Sequence, residues 1–237
     1  MWKNKKVSVV FSTYNEKRTI RKCIEGFFKT GVVDEVIAVD NNAVKGTKEE
    51  IKKTKAKYFL EKEQGIGAGY QRALKEATGD LIITTEVDGT YSPGDIFKIL
   101  AYSDDFDVVF GTRTTTILIG EGSNMGFMMK WANFLFAKMI EVFFYTTSLS
   151  DVGCIYRLIS RKAYNKLKRK PMNKGMSYNI DFMLYAIRNN LSFIEVPLNF
   201  FKRTGVSHGA ATKWKAFKVA VRMFIKFSGH RLNLIKK

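Results

Sequence analysis

Two carboxylates one residue apart directly follow an apolar, β-branched run of the chain. The run covers 81–85 (Leu-Ile-Ile-Thr-Thr), and Glu86 and Asp88 come next, ahead of a turn at Gly89. In open α/β sheets ligands bind outside the carboxyl ends of the strands, and carboxylates there can bind Mg²⁺ or Mn²⁺ together with a diphosphate. Acidic residues are also common in solvated turns. The pair therefore indicates a divalent-cation site only if neighbouring segments provide a place for the diphosphate.

Polar or flexible residues also occur near three other predicted element ends. Tyr14 and Glu16 follow the first strand, where a ring can lie against a base and a carboxylate can accept a hydrogen bond from it. Asp40 follows the second strand, and Gly67 lies among the glycines of 65–69, at a helix start whose N–H groups favour an anion. Each feature alone also fits a helix cap, an Asx turn or an ordinary glycine turn. Together they predict a nucleotide site.

Strands and helices alternate along the first half of the chain, which predicts an α/β fold with a mostly parallel, doubly wound sheet. Apolar runs predict strands at 7–11, 35–39, 58–60, 81–85 and 107–110, and periodic apolar positions predict helices at 20–28, 48–55, 67–77 and 93–102. The second half is less regular, with helices predicted at 126–144, 162–167, 180–189 and 213–227 and strands at 154–159 and 192–196. We predict one catalytic domain over 1–212, with peripheral amphipathic helices, and a basic amphipathic helix over 213–237.

The chain is strongly basic. Its 237 residues include 40 Lys and Arg against 22 Asp and Glu, a formal net charge of +18, and 46% are hydrophobic. The hydrophobic content excludes a disordered or collagen-like chain, and the charge should attract nucleic acids, anionic lipid surfaces or phosphorylated substrates. Cys23 and Cys154 fit buried thiols in a reducing compartment. Because the apolar stretch behind the basic N-terminus is only strand length, no secretory signal is predicted and a cytoplasmic location is expected.

Two segments are predicted to contact a membrane surface. The apolar segment 125–145 carries three charged residues (Lys130, Lys138 and Glu141), each costing about 2.5–3.5 kcal/mol at a bilayer centre, so crossing is not expected. In the closing helix four basic residues share one stripe, namely Lys215, Lys218, Arg222 and Lys226, and the apolar residues Trp214, Phe217, Val221, Phe224, Ile225 and Phe227 cover most of the remainder. Such a helix can lie among anionic headgroups or dock on the protein's own domain.

The order of these motifs resembles the inverting glycosyltransferases of family 2, which have a GT-A fold, and among them the dolichyl-phosphate mannose synthase type. The resemblance runs from residue 7 to about residue 208. It rests on the segments already described and on four later ones, at 110–113 (Phe-Gly-Thr-Arg), 151–157 (Asp-Val-Gly-Cys-Ile-Tyr-Arg), 195–197 (Glu-Val-Pro) and 203–208 (Arg-Thr-Gly-Val-Ser-His).

The resemblance implies roles for individual residues. Those expected to bind the nucleotide sugar are Tyr14, Glu16, Asp40, Gly67, Glu86 and Asp88, of which Glu86 and Asp88 would also hold Mg²⁺ or Mn²⁺. Those expected to line phosphates of donor or acceptor are Arg113, Lys130, Arg203 and Ser207, and arginine suits this role because its planar fork meets phosphate oxygens bidentately. The residues expected to support catalysis are Asp88, Arg113, Asp151 and Arg203. No role is assigned to His208.

Asp151 lies where family members carry an acid near the acceptor. A general base is less necessary for a phosphate acceptor, whose second pKa is about 6 and whose oxygens are already nucleophilic at neutral pH. A positioning role is therefore expected for Asp151, with a structural cap as the alternative.

Two positions depart from the family pattern. The family's opening Pro-Ala-Tyr-Asn-Glu is replaced by Ser-Thr-Tyr-Asn-Glu at 12–16, and the first acid of the metal pair is Glu86 instead of aspartate. The longer side chain reaches an ion from a backbone one methylene farther away. Metal geometry or preference could therefore differ, although oxygen ligation is kept.

By this resemblance an oxygen of dolichyl or polyprenyl phosphate would displace the nucleotide at the anomeric carbon with inversion. GDP-mannose is the favoured donor, and the enzyme would lie peripherally on the cytosolic face of the membrane. UDP-glucose or UDP-N-acetylglucosamine as donor, and a non-lipid glycan as acceptor, are alternatives. A non-catalytic nucleic-acid-binding protein is a third interpretation. Because no nucleic-acid-binding module is recognisable, no nucleic-acid partner is expected.

Overall fold

One sheet of seven strands organises the part of the chain that is described. The computed structural model describes residues 1–123, 127–204 and 213–232, with side chains described at 1–123, 130–204 and 221–232. The strands are β1 (Val7–Thr13), β2 (Glu35–Asp40), β3 (Lys57–Leu60), β4 (Leu81–Thr84), β5 (Val108–Thr112), β6 (Arg157–Ser160) and β7 (Phe193–Pro197). The helices are α1 (Ile20–Lys29), α2 (Thr47–Lys52), α3 (Ile66–Glu76), α4 (Ile96–Leu100), α5 (Phe127–Phe144), α6 (Arg161–Leu167), α7 (Tyr178–Arg188) and α8 (Lys213–Arg231). The predicted α/β class is confirmed.

The strand order in the sheet is β3-β2-β1-β4-β6-β5-β7. Parallel pairing joins β3 to β2, β2 to β1, β1 to β4, and β5 to β7. Strand β6 runs antiparallel to both of its neighbours, β4 and β5. The mostly parallel sheet is thus confirmed, with one reversed strand that the sequence did not reveal, because a continuous buried run carries no information on strand direction.

The central strands are buried on both faces, which explains their continuous Val and Ile runs. Their register aligns Val9 with Val36 on one side and with Ile83 on the other. Helix α3 packs across β1 and β2, and α1 buries residues four and three positions apart along one face, as an amphipathic helix does. Because β1 pairs in parallel with both β2 and β4, the carboxyl ends of these three strands lie at one edge of the sheet.

Several predicted boundaries were wrong by a few residues, and three of these differences have a local reason. The helix expected at 93–102 is a 3₁₀ turn (Pro93–Asp95) followed by the short helix α4, and the Ser92 side chain caps that turn. The strand expected at 154–159 begins only at Arg157, whose guanidinium donates to the Cys154 carbonyl and so shapes the preceding loop. The last helix continues to Arg231 because His230 is buried against the Tyr185 ring.

Helix α8 docks on the protein through one of its faces. Lys226 Nζ lies 2.5 Å from Asp181 Oδ1 of α7, and Phe227 is fully buried against Phe136 of α5. Lys226 and Phe227 thus follow the second of the two alternatives, docking on the protein's own domain. The helical wheel could not decide between them, because it shows which residues share a face but not what that face packs against. Arg222 is exposed as predicted, and Lys215, Lys218, Trp214 and Phe217 lie outside the residues whose side chains are described. None of the described helices combines the length and apolar content needed to cross a bilayer.

Candidate active site

The predicted site residues after β1, β2 and β4 lie at one edge of the sheet. In the strand register Thr13 is level with Asp40 at the ends of β1 and β2, and Val10 is level with Thr84 of β4. The segments that carry Glu16 and Asp88 continue from these ends, so residues 72 positions apart in sequence lie at the same edge of the sheet. The edge matches the crevice in which ligands of open α/β sheets bind.

Arg203 links the acids of two of these segments. Its Nε lies 3.2 Å from Asp88 Oδ2, and its Nη2 donates to Glu16 Oε1 at 3.0 Å. The other Asp88 oxygen accepts from the Thr90 backbone at 2.9 Å and from its hydroxyl at 2.5 Å. Asp88 is 1% exposed, whereas the Arg203 side chain is 28% exposed. The guanidinium therefore lies between a buried carboxylate and the open edge, where a phosphate group can reach it.

Glu86 differs from Asp88 because none of the described residues hydrogen-bonds to its carboxylate or forms an ion pair with it. The side chain is partly buried. Burial, and then the neighbouring charge of Asp88, raise the pKa of Glu86 to about 7, although Arg113 and Arg203 act in the opposite direction. An unpartnered carboxylate whose charge is disfavoured by another acid is a position where a cation would be stabilised.

This pair fits a divalent ion that also contacts substrate phosphates. The described residues contain no group of three or more His, Cys, Asp or Glu side chains that could hold a metal by themselves. Mg²⁺ is commonly held by one or two carboxylates, with phosphates and water at the other positions. Glu86 and Asp88 supply that donor set, so the residues present fit the ion that the sequence resemblance implies.

Arg113 and Asp151 form a bidentate ion pair beside this cluster. Arg113 Nε lies 2.8 Å from one Asp151 oxygen and its Nη2 lies 2.9 Å from the other. Burial alone would raise the pKa of Asp151, but Arg113 and the backbone N–H groups of Gly153 and Arg113 hold it below its usual range. An acid kept ionised in this way is a weak base, so the contacts favour the positioning role over proton abstraction.

Glu195 was not among the predicted site residues. One of its oxygens accepts from the Ser150 backbone and hydroxyl, each at 2.7 Å, and the other accepts from the Asp151 backbone at 3.1 Å. It thereby fixes the backbone that presents Asp151 to Arg113. The Glu-Val-Pro segment pointed to this position, but the contact spans 44 residues in sequence and depends on the pairing of β7 with β5.

We expect Glu195 to make the stability of the protein depend on pH. Burial raises the pKa of Glu195 from 4.5 to about 7 despite three hydrogen-bond donors. Its contribution to stability is therefore fully present below about pH 4.5 and is lost as the pH rises through about 7. The Glu195→Gln amide does not titrate, so wild-type protein should lose stability relative to this variant between about pH 5 and 7. Urea unfolding of both proteins at these pH values measures the effect, and a stability difference that is independent of pH would contradict it.

The residues predicted to bind the nucleoside also shape their own loops. Glu16 Oε2 accepts from the Thr13 hydroxyl and from the backbones of Tyr14 and Asn15, and Asp40 accepts from the Ala43 backbone and the Tyr58 hydroxyl at 2.7 and 3.0 Å. These are the turn contacts that the sequence left open as an alternative. The Tyr14 ring is 45% exposed at the same edge. Contacts of Tyr14, Glu16 and Asp40 with a nucleotide stay predictions.

Gly67 lies under a neighbouring loop. A Cβ at Gly67 would collide with the Asn173 carbonyl and the Tyr178 side chain, and the Ala68 N–H bonds to the Lys174 carbonyl at 3.0 Å. The glycine therefore permits close packing of α3 against 173–175. The predicted anion contact at this helix start stays a prediction, and the observed packing accounts for the glycine without it.

Two residues, Lys130 and Ser207, were predicted to lie on the acceptor side of the site. Lys130 donates from Nζ to the Thr116 hydroxyl at 2.7 Å, and this is not a contact with Arg113 or Arg203. Ser207 lies outside the described residues, as does His208. Their roles at the acceptor stay predictions.

Comparison with known proteins identifies the family. The family profile of Glycosyl transferase family 2 matches residues 8–168. A dolichyl-phosphate hexose transferase of Haloferax volcanii is 25% identical over 201 residues, which cover 84% of each chain. A dolichol-phosphate mannosyltransferase of Pyrococcus furiosus is 28% identical over 116 residues, and the match spans 46% of this chain but only 33% of that protein. A polyprenol monophosphomannose synthase of Mycolicibacterium smegmatis is 26% identical over 168 residues, covering 66% of this chain and 61% of that protein.

Solved structures agree on the fold. Glucosyl-3-phosphoglycerate synthase from Mycobacterium tuberculosis, crystallised with Mn²⁺, UDP and its product, superimposes with a TM-score of 0.72. The alignment covers 95% of this chain and 81% of that one at 14% sequence identity, and a second complex of that enzyme, with Mg²⁺ and UDP, gives the same TM-score. The protein thus has a GT-A fold. With the profile matching more than half of its length, the chain belongs to glycosyl transferase family 2 and is a glycosyltransferase.

Proposed function

We propose that the protein transfers a sugar, with inversion, from a nucleotide-diphosphate sugar to dolichyl or polyprenyl phosphate at the cytosolic face of a membrane. GDP-mannose is the favoured donor and Mg²⁺ or Mn²⁺ the required ion. The observation that carries the proposal is the cluster of Glu86, Asp88 and Arg203 at the sheet edge, where two carboxylates and an arginine can share one diphosphate. The names of the relatives from Haloferax volcanii and Mycolicibacterium smegmatis support the lipid-phosphate acceptor.

The residues of this cluster would act on the departing nucleoside diphosphate. A bound divalent ion would neutralise part of the charge that builds up on the leaving group. Arg203, which Glu16 and Asp88 hold in place, would donate to the same phosphate oxygens. Donors placed before the reaction stabilise this charge without reorganising during it.

On the acceptor side the nucleophile would be an oxygen of the lipid monophosphate. It attacks the anomeric carbon as the bond from that carbon to the diphosphate breaks, which inverts the configuration. Because the phosphate is largely ionised at neutral pH, no side chain needs to remove a proton. Asp151 would then serve to orient Arg113, whose guanidinium can hold the acceptor phosphate.

An exposed apolar surface on α5 and α8 supports membrane docking. T-shaped contacts between Phe143 and Phe224, and between Phe136 and Phe227, pack the two helices together. Among the side chains described there, those at least half exposed and apolar are Trp131, Leu135 and Val142 of α5, Phe224 and Ile225 of α8, and Tyr145 and Leu232 directly after the two helices. Large apolar patches of this kind mark interaction sites. With the basic Arg222 exposed on the same helix, the surface fits the headgroup region of an anionic bilayer.

We expect charged substitutions in this surface to weaken membrane binding. In Leu135→Glu/Ile225→Glu two side chains that are 60% and 63% exposed become acidic. Each leucine or isoleucine contributes about 1.5–3 kcal/mol when fully buried in an apolar environment, so partition to vesicles should fall about tenfold or more. Co-sedimentation with anionic vesicles measures this. Leu60→Glu/Tyr102→Glu introduces the same two charges at positions that are 45% and 39% exposed and lie on neither helix. This control should bind about as wild type; equal loss in both variants would contradict membrane docking through α5 and α8.

A panel of donors tests the function directly. Purified protein would be incubated with GDP-mannose, UDP-glucose or UDP-N-acetylglucosamine, with Mg²⁺ or Mn²⁺ and dolichyl phosphate, and the lipid fraction analysed by mass spectrometry. We expect mannose from GDP-mannose to appear on dolichyl phosphate, as dolichyl phosphate mannose. If product forms only from a UDP-sugar, the assignment of GDP-mannose as donor is wrong. If the protein transfers sugar to a soluble glycan but not to dolichyl phosphate, the assignment of a lipid acceptor is wrong.

A further inference from the structure

A cavity of about 460 Å³ lies between α3 and the chain that follows α6. Five basic side chains line it, namely Arg72 and Lys75 from α3 and Lys168, Arg169 and Lys174 from the other wall. Tyr164 of α6 adds an aromatic surface, and the only acids among the lining residues are Glu61 and Glu63. The volume is in the range of small-molecule sites.

The body of α3 separates this cavity from the active site. Residues 68, 71, 72 and 75 lie three or four positions apart and share the face that lines the cavity. The opposite face is directed at the sheet, where Gly69 lies against Ser12 and the Tyr70 hydroxyl donates to the Thr85 carbonyl at 2.7 Å. A ligand in the cavity would therefore not occupy the crevice near Glu86 and Asp88.

Most of the positive charge around the cavity is not neutralised. Lys174 pairs with Glu63 at 2.6 Å, and Arg72 lies 2.9 Å from Glu76. Lys75, Lys168 and Arg169 form no ion pair with any acid among the residues that the structure describes. The sequence adds to this excess, because the chain has no acidic residue between Asp151 and Asp181.

We infer that this cavity is a second anion site, which binds a ligand carrying two or more phosphate groups. Lysine and arginine on facing walls can contact several phosphate oxygens at once, and five basic against two acidic lining residues favour a multiply charged anion over a single carboxylate. A soluble oligophosphate and a phosphorylated lipid headgroup share this chemistry. The inference does not depend on which donor or acceptor the active site uses.

Calorimetric titration with inorganic tripolyphosphate tests the site. The buffer contains EDTA, so that metal-dependent binding at the active site is suppressed, and about 0.15 M salt, which screens distant surface charges. In Lys168→Glu/Arg169→Glu two exposed lining residues are reversed, and we expect the affinity to fall about tenfold or more. Lys162→Glu/Lys166→Glu makes the same change in charge at exposed positions of α6 outside the cavity, and we expect less than about a twofold change.

A second variant and a second probe complete the test. Lys75→Glu reverses a charge on the facing wall and should weaken binding in the same direction. Vesicles of phosphatidylcholine with and without phosphatidylinositol bisphosphate identify the source. Binding to the phosphorylated vesicles but not to tripolyphosphate, weakened in Lys168→Glu/Arg169→Glu but not in Lys162→Glu/Lys166→Glu, indicates a headgroup in the cavity. Transferase activity of the lining variants is expected to be unchanged. Equal weakening by the lining and control pairs, or no binding to either probe, would overturn the inference.

Discussion

Asp88→Asn is expected to lower kcat for sugar transfer by about 10²–10³-fold, the usual loss when one group that stabilises transition-state charge is removed. The amide keeps the size of the side chain, and its oxygen can still accept from Thr90. It removes the negative charge that faces Arg203 and would hold a cation next to Glu86. Steady-state transfer at saturating donor and metal measures the loss, and Mn²⁺ affinity should weaken in parallel.

The control for this prediction is an acid that contacts no part of the site. Asp104→Asn removes an exposed carboxylate that pairs with Lys3 and Lys5 on the surface, so activity should stay near wild type. Urea unfolding of Asp88→Asn separates lost chemistry from lost folding. Full transfer activity in a folded Asp88→Asn protein would refute the metal role of this residue.

Asp151→Asn is expected to lower the free energy of unfolding by about 3–5 kcal/mol, because it leaves the guanidinium of Arg113 buried without a counter-charge. Asp151 is fully buried, and the Arg113 side chain is only 13% exposed. The amide also cannot accept both of the guanidinium contacts that the carboxylate accepts at 2.8 and 2.9 Å. Urea unfolding at neutral pH gives the value.

A double variant distinguishes the lost charge pair from lost packing. Arg113→Met/Asp151→Leu replaces both charges by apolar side chains, and we expect it to recover much of the stability lost in Asp151→Asn. Its transfer activity should stay low, because no guanidinium remains at position 113 to hold the acceptor phosphate. A loss below about 1 kcal/mol in Asp151→Asn, typical of a surface pair, would contradict the buried ion pair.

The strands of the first half could be predicted because their sequences allow few alternatives. Continuous Val and Ile runs in β1, β2 and β4 fit only burial on both faces. Polar residues placed directly after such runs lie at the carboxyl edge of the sheet, which is why the position of Glu86 and Asp88 at that edge could be predicted from sequence. The reversed strand β6 could not be predicted, since the run at 157–160 has the same composition in either direction.

Partners distant in sequence limited the prediction of the site. Nothing near Asp151 indicates Arg113, which lies 38 residues away, or the support that Glu195 gives from β7. The link from Arg203 to Glu16 spans 187 residues. Helix α8 shows the same limit, because the periodicity of Lys226 identified a basic stripe but not that Asp181 neutralises one of its members. The local sequence pattern shows which residues share a face of a helix, but the residues that contact this face are known only from the folded structure.

A crystal structure of the protein with Mn²⁺ and GDP-mannose tests the central claim most directly. We predict one anomalous manganese peak about 2.1 Å from carboxylate oxygens of Glu86 and Asp88, bridged to both phosphates of the donor, with Arg203 donating to the same diphosphate. A diphosphate bound elsewhere, or a metal peak remote from both side chains, would contradict it.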